Sequence, residues 1–145
     1  SGASGAPGVP LGPRTPHAAE ASAAGSSTVL PLLGGRFEAR ASWRKANGEA
    51  GLASVLPLAD DSGSFWFFDA EIVEVLVKMV DACGLDGFEN YWVFAGGLTD
   101  VAVHLTVRDT WTGATVEQQT ISGQPFPSLL ETGKLRVCAS APPLP

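Results

Sequence analysis

Positive charge is scarce in this chain of 145 residues: nine Lys and Arg stand against 15 Asp and Glu, a formal net charge of −6. With so few cations there is no footprint for holding a phosphate backbone, which argues against nucleic acid as a partner. Long apolar runs are missing too. Runs such as Val75 to Val77 and Tyr91 to Ala95 fall far short of the roughly 20 residues that a bilayer-spanning helix needs. No charged-then-apolar signal segment opens the sequence, so a soluble, processed chain without a membrane span is expected. Histidine is limited to His17 and His104, and neither GxxxxGKS nor GxGxxG occurs, so a nucleotide has no cradle. What is plentiful is apolar or small: 45% of residues are hydrophobic, with 17 Gly and 11 Pro. One ordinary domain plus some unstructured length fits that composition, and a wholly disordered chain does not.

Cysteine occurs only as Cys83 and Cys138, whose flanks offer neither a CxxC nor a CxxxH arrangement for zinc. A disulfide is the better reading, and two buried free thiols in a cytosolic domain are the alternative. If joined, the pair closes a loop of 55 residues. Loop entropy then contributes about 4 kcal/mol, and the bond persists only outside the reducing cytosol.

Three segments follow from composition. Residues 1–27 are almost entirely Gly, Ala, Ser, Pro and Thr, a tail or linker unable to bury a core of its own. Glycine recurs there at Gly2, Gly5 and Gly8, with Pro7 and Pro10 in third positions, before a one-residue slip at Leu11. That is a weak collagen signal, and an extended, polyproline-like linker explains it more simply. Residues 28–140 carry the folded domain, and residues 141–145 form a Pro-rich end.

Within the domain, short strands recur between turn residues. Val29, Leu30, Leu32 and Leu33 form an apolar patch broken by Pro31 and stopped by Gly34-Gly35, an edge segment. Phe37, Ala39, Ala41 and Trp43 alternate with charged or polar residues, the period of a strand with one wet face. Asn47-Gly48 supplies a positive-φ pair for a hairpin, and Leu52 to Leu58 returns as one strand. Asp60 to Gly63 turns into the aromatic run Phe65 to Phe68.

The stretch EIVEVLVKMVDA fits a helical stripe as well as a strand, and its β-branched residues decide for a strand. It would bury Val73, Val75, Val77 and Met79 opposite a face carrying Glu74 and Lys78. Asp100 to Arg108 alternates most clearly. Thr115 to Ile121 is polar enough for a sheet edge, and Lys134 to Cys138 gives a last short strand. Together these features predict an antiparallel, immunoglobulin-like β-sandwich of seven or eight strands.

The stretches FWFFDAEIVEVLVKMVDACG and YWVFAGGLTDVAVHLTVRDTWTG, with the late Cys138, resemble a recurrent β-sandwich domain of secreted bacterial proteins. Such domains occur singly or in tandem beside peptidases and adhesin-like regions. The resemblance runs from about Phe37 to Cys138. It implies a two-sheet sandwich with Cys83 and Cys138 joined, and it brings no catalytic residue set.

Candidate chemistry is thin. A Ser-His-acid hydrolase needs an oriented histidine, yet His17 sits in the tail and His104 on a polar strand face. Paired glycosidase carboxylates among Asp60, Asp61, Asp69 and Glu71 are better explained as turn residues. Asp60, Asp61, Asp69 and Asp86 are weak calcium candidates whose spacing matches no EF-hand loop, and no other cofactor is expected. Trp111, in the Asp109 to Gly113 turn, is the one ring expected to be exposed and so the possible glycan contact, with Trp66 and Trp92 in the core.

The expectation is a non-enzymatic structural protein, extracellular or on a bacterial cell surface. It would assemble into a filament through its N-terminal arm, with Val29, Leu30, Leu32 and Leu33 against a neighbour. The alternative is a carbohydrate-binding or spacer module of a larger secreted protein.

Overall fold

The computed structural model describes residues 27–143. The expected tail therefore lies, but for Ser27, outside the described residues, as do His17 and the last two residues of the Pro-rich end. Ten strands occur among the described residues: β1 Leu30–Leu32, β2 Phe37–Arg44, β3 Ala50–Leu52, β4 Ser54–Ala59, β5 Ser62–Trp66, β6 Val75–Asp81, β7 Tyr91–Gly97, β8 Ala102–Asp109, β9 Thr115–Gln119 and β10 Leu129–Leu135. They form two antiparallel five-stranded sheets, one ordered β1-β2-β8-β9 with β3 also on β2, the other β10-β7-β6-β5-β4. The all-β sandwich read from the strand periodicity is the architecture found.

The pleat places the core between the sheets. In β8, Val103, Leu105 and Val107 point inward, opposite β2's Trp43, Ala41 and Ala39, and Phe37 is buried beside them. From the second sheet come Phe65, Val75, Val77, Met79 and Val93, all nearly or fully buried. β9 pairs only with β8 and so is an edge, as its polarity predicts.

The Leu52 to Leu58 stretch is two strands, because the chain crosses between sheets at buried Ala53, with β3 on β2 and β4 on β5. In the β2–β3 hairpin only Gly48 of the Asn47-Gly48 pair has positive φ, at 95°. The Lys45 N–H reaches the Glu49 carbonyl at 2.7 Å, so the loop is longer than a two-residue turn. β6 begins at Val75, not at Ile72. A turn from Asp69, whose carbonyl accepts the Ile72 N–H, takes Val73 out of the ladder and leaves it exposed while Glu74 becomes buried. The last strand comes earlier than Lys134 to Cys138, since Leu129 and Leu130 find partners in Ala95 and Phe94.

β1 corrects the picture of a free apolar arm. Leu30 and Leu32 are fully buried in the chain's own core, while Pro31, which has no N–H to donate, is exposed at the sheet edge. Gly63 lies directly beneath Leu30, leaving no room for a side chain there. The Ser27 carbonyl accepts the Val55 N–H at 2.9 Å, and the Leu33 N–H donates to the Asp60 carbonyl at 2.6 Å. The segment thus bridges the edges of both sheets. Of the four residues assigned to a neighbour, Leu30 and Leu32 are consumed internally, and Val29 and Leu33 are half-buried.

Candidate functional site

The strongest polar constellation begins with a break in β8's alternation. After Val103, Leu105 and Val107, the next inward residue is Asp109, a carboxylate in a core position and fully buried. Burying it requires a partner. Arg36, just before β2, supplies one: Nε donates to Oδ1 at 2.9 Å and Nη2 to Oδ2 at 3.1 Å, a two-pronged pair. Nη2 also donates to the Val137 carbonyl at 2.9 Å and Nη1 to the Tyr91 hydroxyl at 3.2 Å. Asp109 further accepts the Trp111 N–H at 3.1 Å and the Thr112 hydroxyl at 2.7 Å.

Burial pushes the Asp109 carboxyl upward, but the hydrogen bonds from Arg36, Thr112 and the Trp111 amide outweigh it and hold it below the ordinary range. The bond to Asp109 raises Arg36 in turn, against the opposing effect of burial. Every strong donor and acceptor here is engaged, so the pair acts as a lock between β8, the start of β2 and the C-terminal segment.

Trp111 belongs to this lock. Its ring lies 3.9 Å from the guanidinium carbon and is half-buried, so the side facing Arg36 is not free to stack on a sugar. Beside the lock, Cys83 and Cys138 are joined by a disulfide, with Cα atoms 5.7 Å apart. Val137, whose carbonyl Arg36 holds, immediately precedes Cys138. The Asp109 signal was present in the sequence as an inward carboxylate. Its partner was not legible, because Arg36 is 73 residues away and no periodicity joins them.

The aspartates behave as turn residues. Asp60 Oδ1 accepts the Gly34 N–H at 2.9 Å, Asp69 Oδ1 accepts the Glu71 N–H at 2.9 Å, and Asp61 Oδ2 lies 3.8 Å from Lys78 Nζ. Asp86 is exposed. Among the described residues no group of three His, Cys, Asp or Glu side chains is gathered where a metal ion could sit.

His104 lies on the outer face of the first sheet, its Nε2 2.7 Å from Glu117 Oε1, and Ser42 is its cross-strand neighbour. Ser42, His104 and Glu117 are therefore the nearest approach to a hydrolytic triad. No hydrogen bond joins Ser42 to His104 among the described residues, and the amides of β2 and β8 around them, each strand being paired on both sides, are committed to the ladder rather than turned toward an oxyanion. An open groove of about 720 Å³ beside them is lined by Arg44, Leu52, Gln119 and Ile121.

The outer face of the second sheet is different in kind. Trp92 and Phe94 alternate with inward Val93 and Ala95 and so point out, which places Trp92 on the surface rather than in the core. Trp92 meets Phe88 edge-on at 6.0 Å and Phe94 at 6.2 Å between ring centres. Register sets Leu130 beside Phe94 and Leu76 beside Gly96. Leu130 is 71% exposed, Phe88 57% and Leu76 45%. At one end of this stripe Gly96 floors a cavity of about 230 Å³ walled by Val73, Leu76 and Leu98.

Fold and site together define a disulfide-stapled all-β sandwich with an internal ion-pair lock and one apolar outer face. The chain matches no protein-family model, no curated protein and no solved structure.

Proposed function

We propose that the chain is a non-catalytic structural module of a secreted or cell-surface bacterial protein, one that joins neighbouring copies. The carrying observation is the apolar outer face of the second sheet, where Phe88, Trp92, Phe94 and Leu130 are neighbours and Leu76 lies beside Gly96. Surfaces of that kind mark contact sites. Two further features support the reading. The disulfide suits an oxidising compartment, and the strongest charged pair is spent on holding the fold rather than on a substrate. The arm retains a role in assembly, but through residues 1–26, since Leu30 and Leu32 are already buried at home.

The test is molar mass by light scattering as concentration rises, with negative-stain microscopy of the same samples, for the native chain and for Leu76→Lys/Leu130→Lys. The native chain should grow in mass and the variant should not. A native chain that stays one copy at every concentration overturns the assembly reading.

A further inference from the structure

Four prolines outside the described residues share one period: Pro7, Pro10, Pro13 and Pro16 fall at every third position. A polyproline II helix has three residues per turn and rises about 3.1 Å per residue. In that conformation the four rings would line a single edge about 28 Å long. Such ridges dock into grooves lined by aromatic rings, because the helix carries little conformational entropy to lose and its apolar edge matches an apolar trough.

The second sheet offers the aromatic lining and, at one end, a cavity. Phe88, Trp92 and Phe94 run edge to edge along that lining, and the Gly96 cavity ends it with room for a proline ring. β7, at seven residues, spans about 24 Å, comparable with the proline ridge.

The chain also delivers the ridge to the correct side. Ser27 is held by Val55 in β4, the edge strand of the second sheet. β7 lies three strands from β4, about 14 Å across the sheet. The ten residues between Pro16 and Ser27 reach up to about 33 Å.

We infer that the Pro7–Pro16 segment docks on the Phe88, Trp92, Phe94 stripe of its own chain, with one ring over Gly96. A short flexible tether gives the segment an effective concentration in the millimolar range, so the chain's own tail occupies the stripe in dilute solution. At high surface density the same contact exchanges between copies and links them, the usual low-cost route from monomer to assembly. The inference rests on reading this face as a contact surface, but not on assembly itself.

A nitroxide placed at Leu11→Cys in the oxidised full chain tests it. The readout is the indole N–H signal of Trp92 and the imidazole C–H signals of His104, which faces outward from the other sheet. Under dilute, single-copy conditions Trp92 should lose at least half its intensity and His104 little. The difference should vanish when Pro7, Pro10, Pro13 and Pro16 are all changed to Ser.

Gly96→Val is the second variant. A Cβ there meets nothing within 4 Å, so the fold should be kept while the cavity floor is filled and the Trp92 broadening falls. Equal broadening of Trp92 and His104, or a pattern unchanged by the proline substitutions, overturns the docking. Broadening that appears only between an isotope-labelled chain and a separately spin-labelled one overturns docking within the chain. Docking without growth in molar mass would retain this inference and remove the assembly reading.

Discussion

The two sheets share a pleat, a strand number and an antiparallel order, yet they present opposite outer faces. On the first, the outward residues of β2, β8 and β9 include Arg40, Ser42, Arg44, His104, Thr106 and Glu117. On the second, the outward residues of β6, β7 and β10 include Leu76, Trp92, Phe94 and Leu130, with Lys78 a charge among them. Inward, both sheets contribute buried apolar side chains to one core. Sandwich formation requires only the inward halves, so the outward halves are free to differ, and the difference reports on what each face meets. The first carries charged and polar groups that water solvates. The second leaves apolar side chains exposed.

The comparison is sharpest if the charges of the first sheet divide into one that holds the fold and others that only solvate it. Asp109→Ala should have the largest effect, about 3–5 kcal/mol, because it strands the Arg36 guanidinium in a buried site. Chemical denaturation measures it. The native pair carries its own pH signature. The Asp109 carboxyl is held below its ordinary value, so its contribution is fully present above ~4 and is lost as pH falls through the lowered value. Denaturation midpoints should fall with acid more steeply in the native chain than in Asp109→Ala.

Adjacent glycines of β7 give the intermediate effect. A side chain on Gly97 would run into the ring of buried Phe126, so Gly97→Ala should cost about 1–3 kcal/mol, whereas Gly96→Val on the open outer face should cost nothing or stabilise. Equal costs would break the distinction between the inner and outer sides of this strand. The smallest effect belongs to Glu117→Gln, which removes the exposed partner of His104 and should change stability by less than about 1 kcal/mol. A larger loss, measured by thermal melting, would mean that the polar face is structural rather than merely wet.

The same contrast explains how much was legible in the sequence. β2 and β8 could be read residue by residue, since a wet outer face makes hydrophobicity alternate. In β7 that alternation fails, because Trp92 and Phe94 are apolar on the outward side as well, and so Trp92 passed for core. Position along the chain also hid the crossing at Ala53, where one apolar run serves two sheets. The disulfide was accessible because only two cysteines exist. The Arg36–Asp109 lock was not, because contact across 73 residues is decided by packing rather than by local pattern.

The disulfide has a mechanical meaning as well. Tension applied through the two ends of the folded chain passes from Ser27 along β1 to β6, enters Cys83 and leaves at Cys138, bypassing everything between. β7, β8, β9 and β10 therefore stay out of the load path, and the 55 residues of that loop withhold about 190 Å of contour length that the chain would otherwise pay out. Under stretch the module would behave as a short, stiff link with a built-in stop, and reduction would turn it into a long, compliant one.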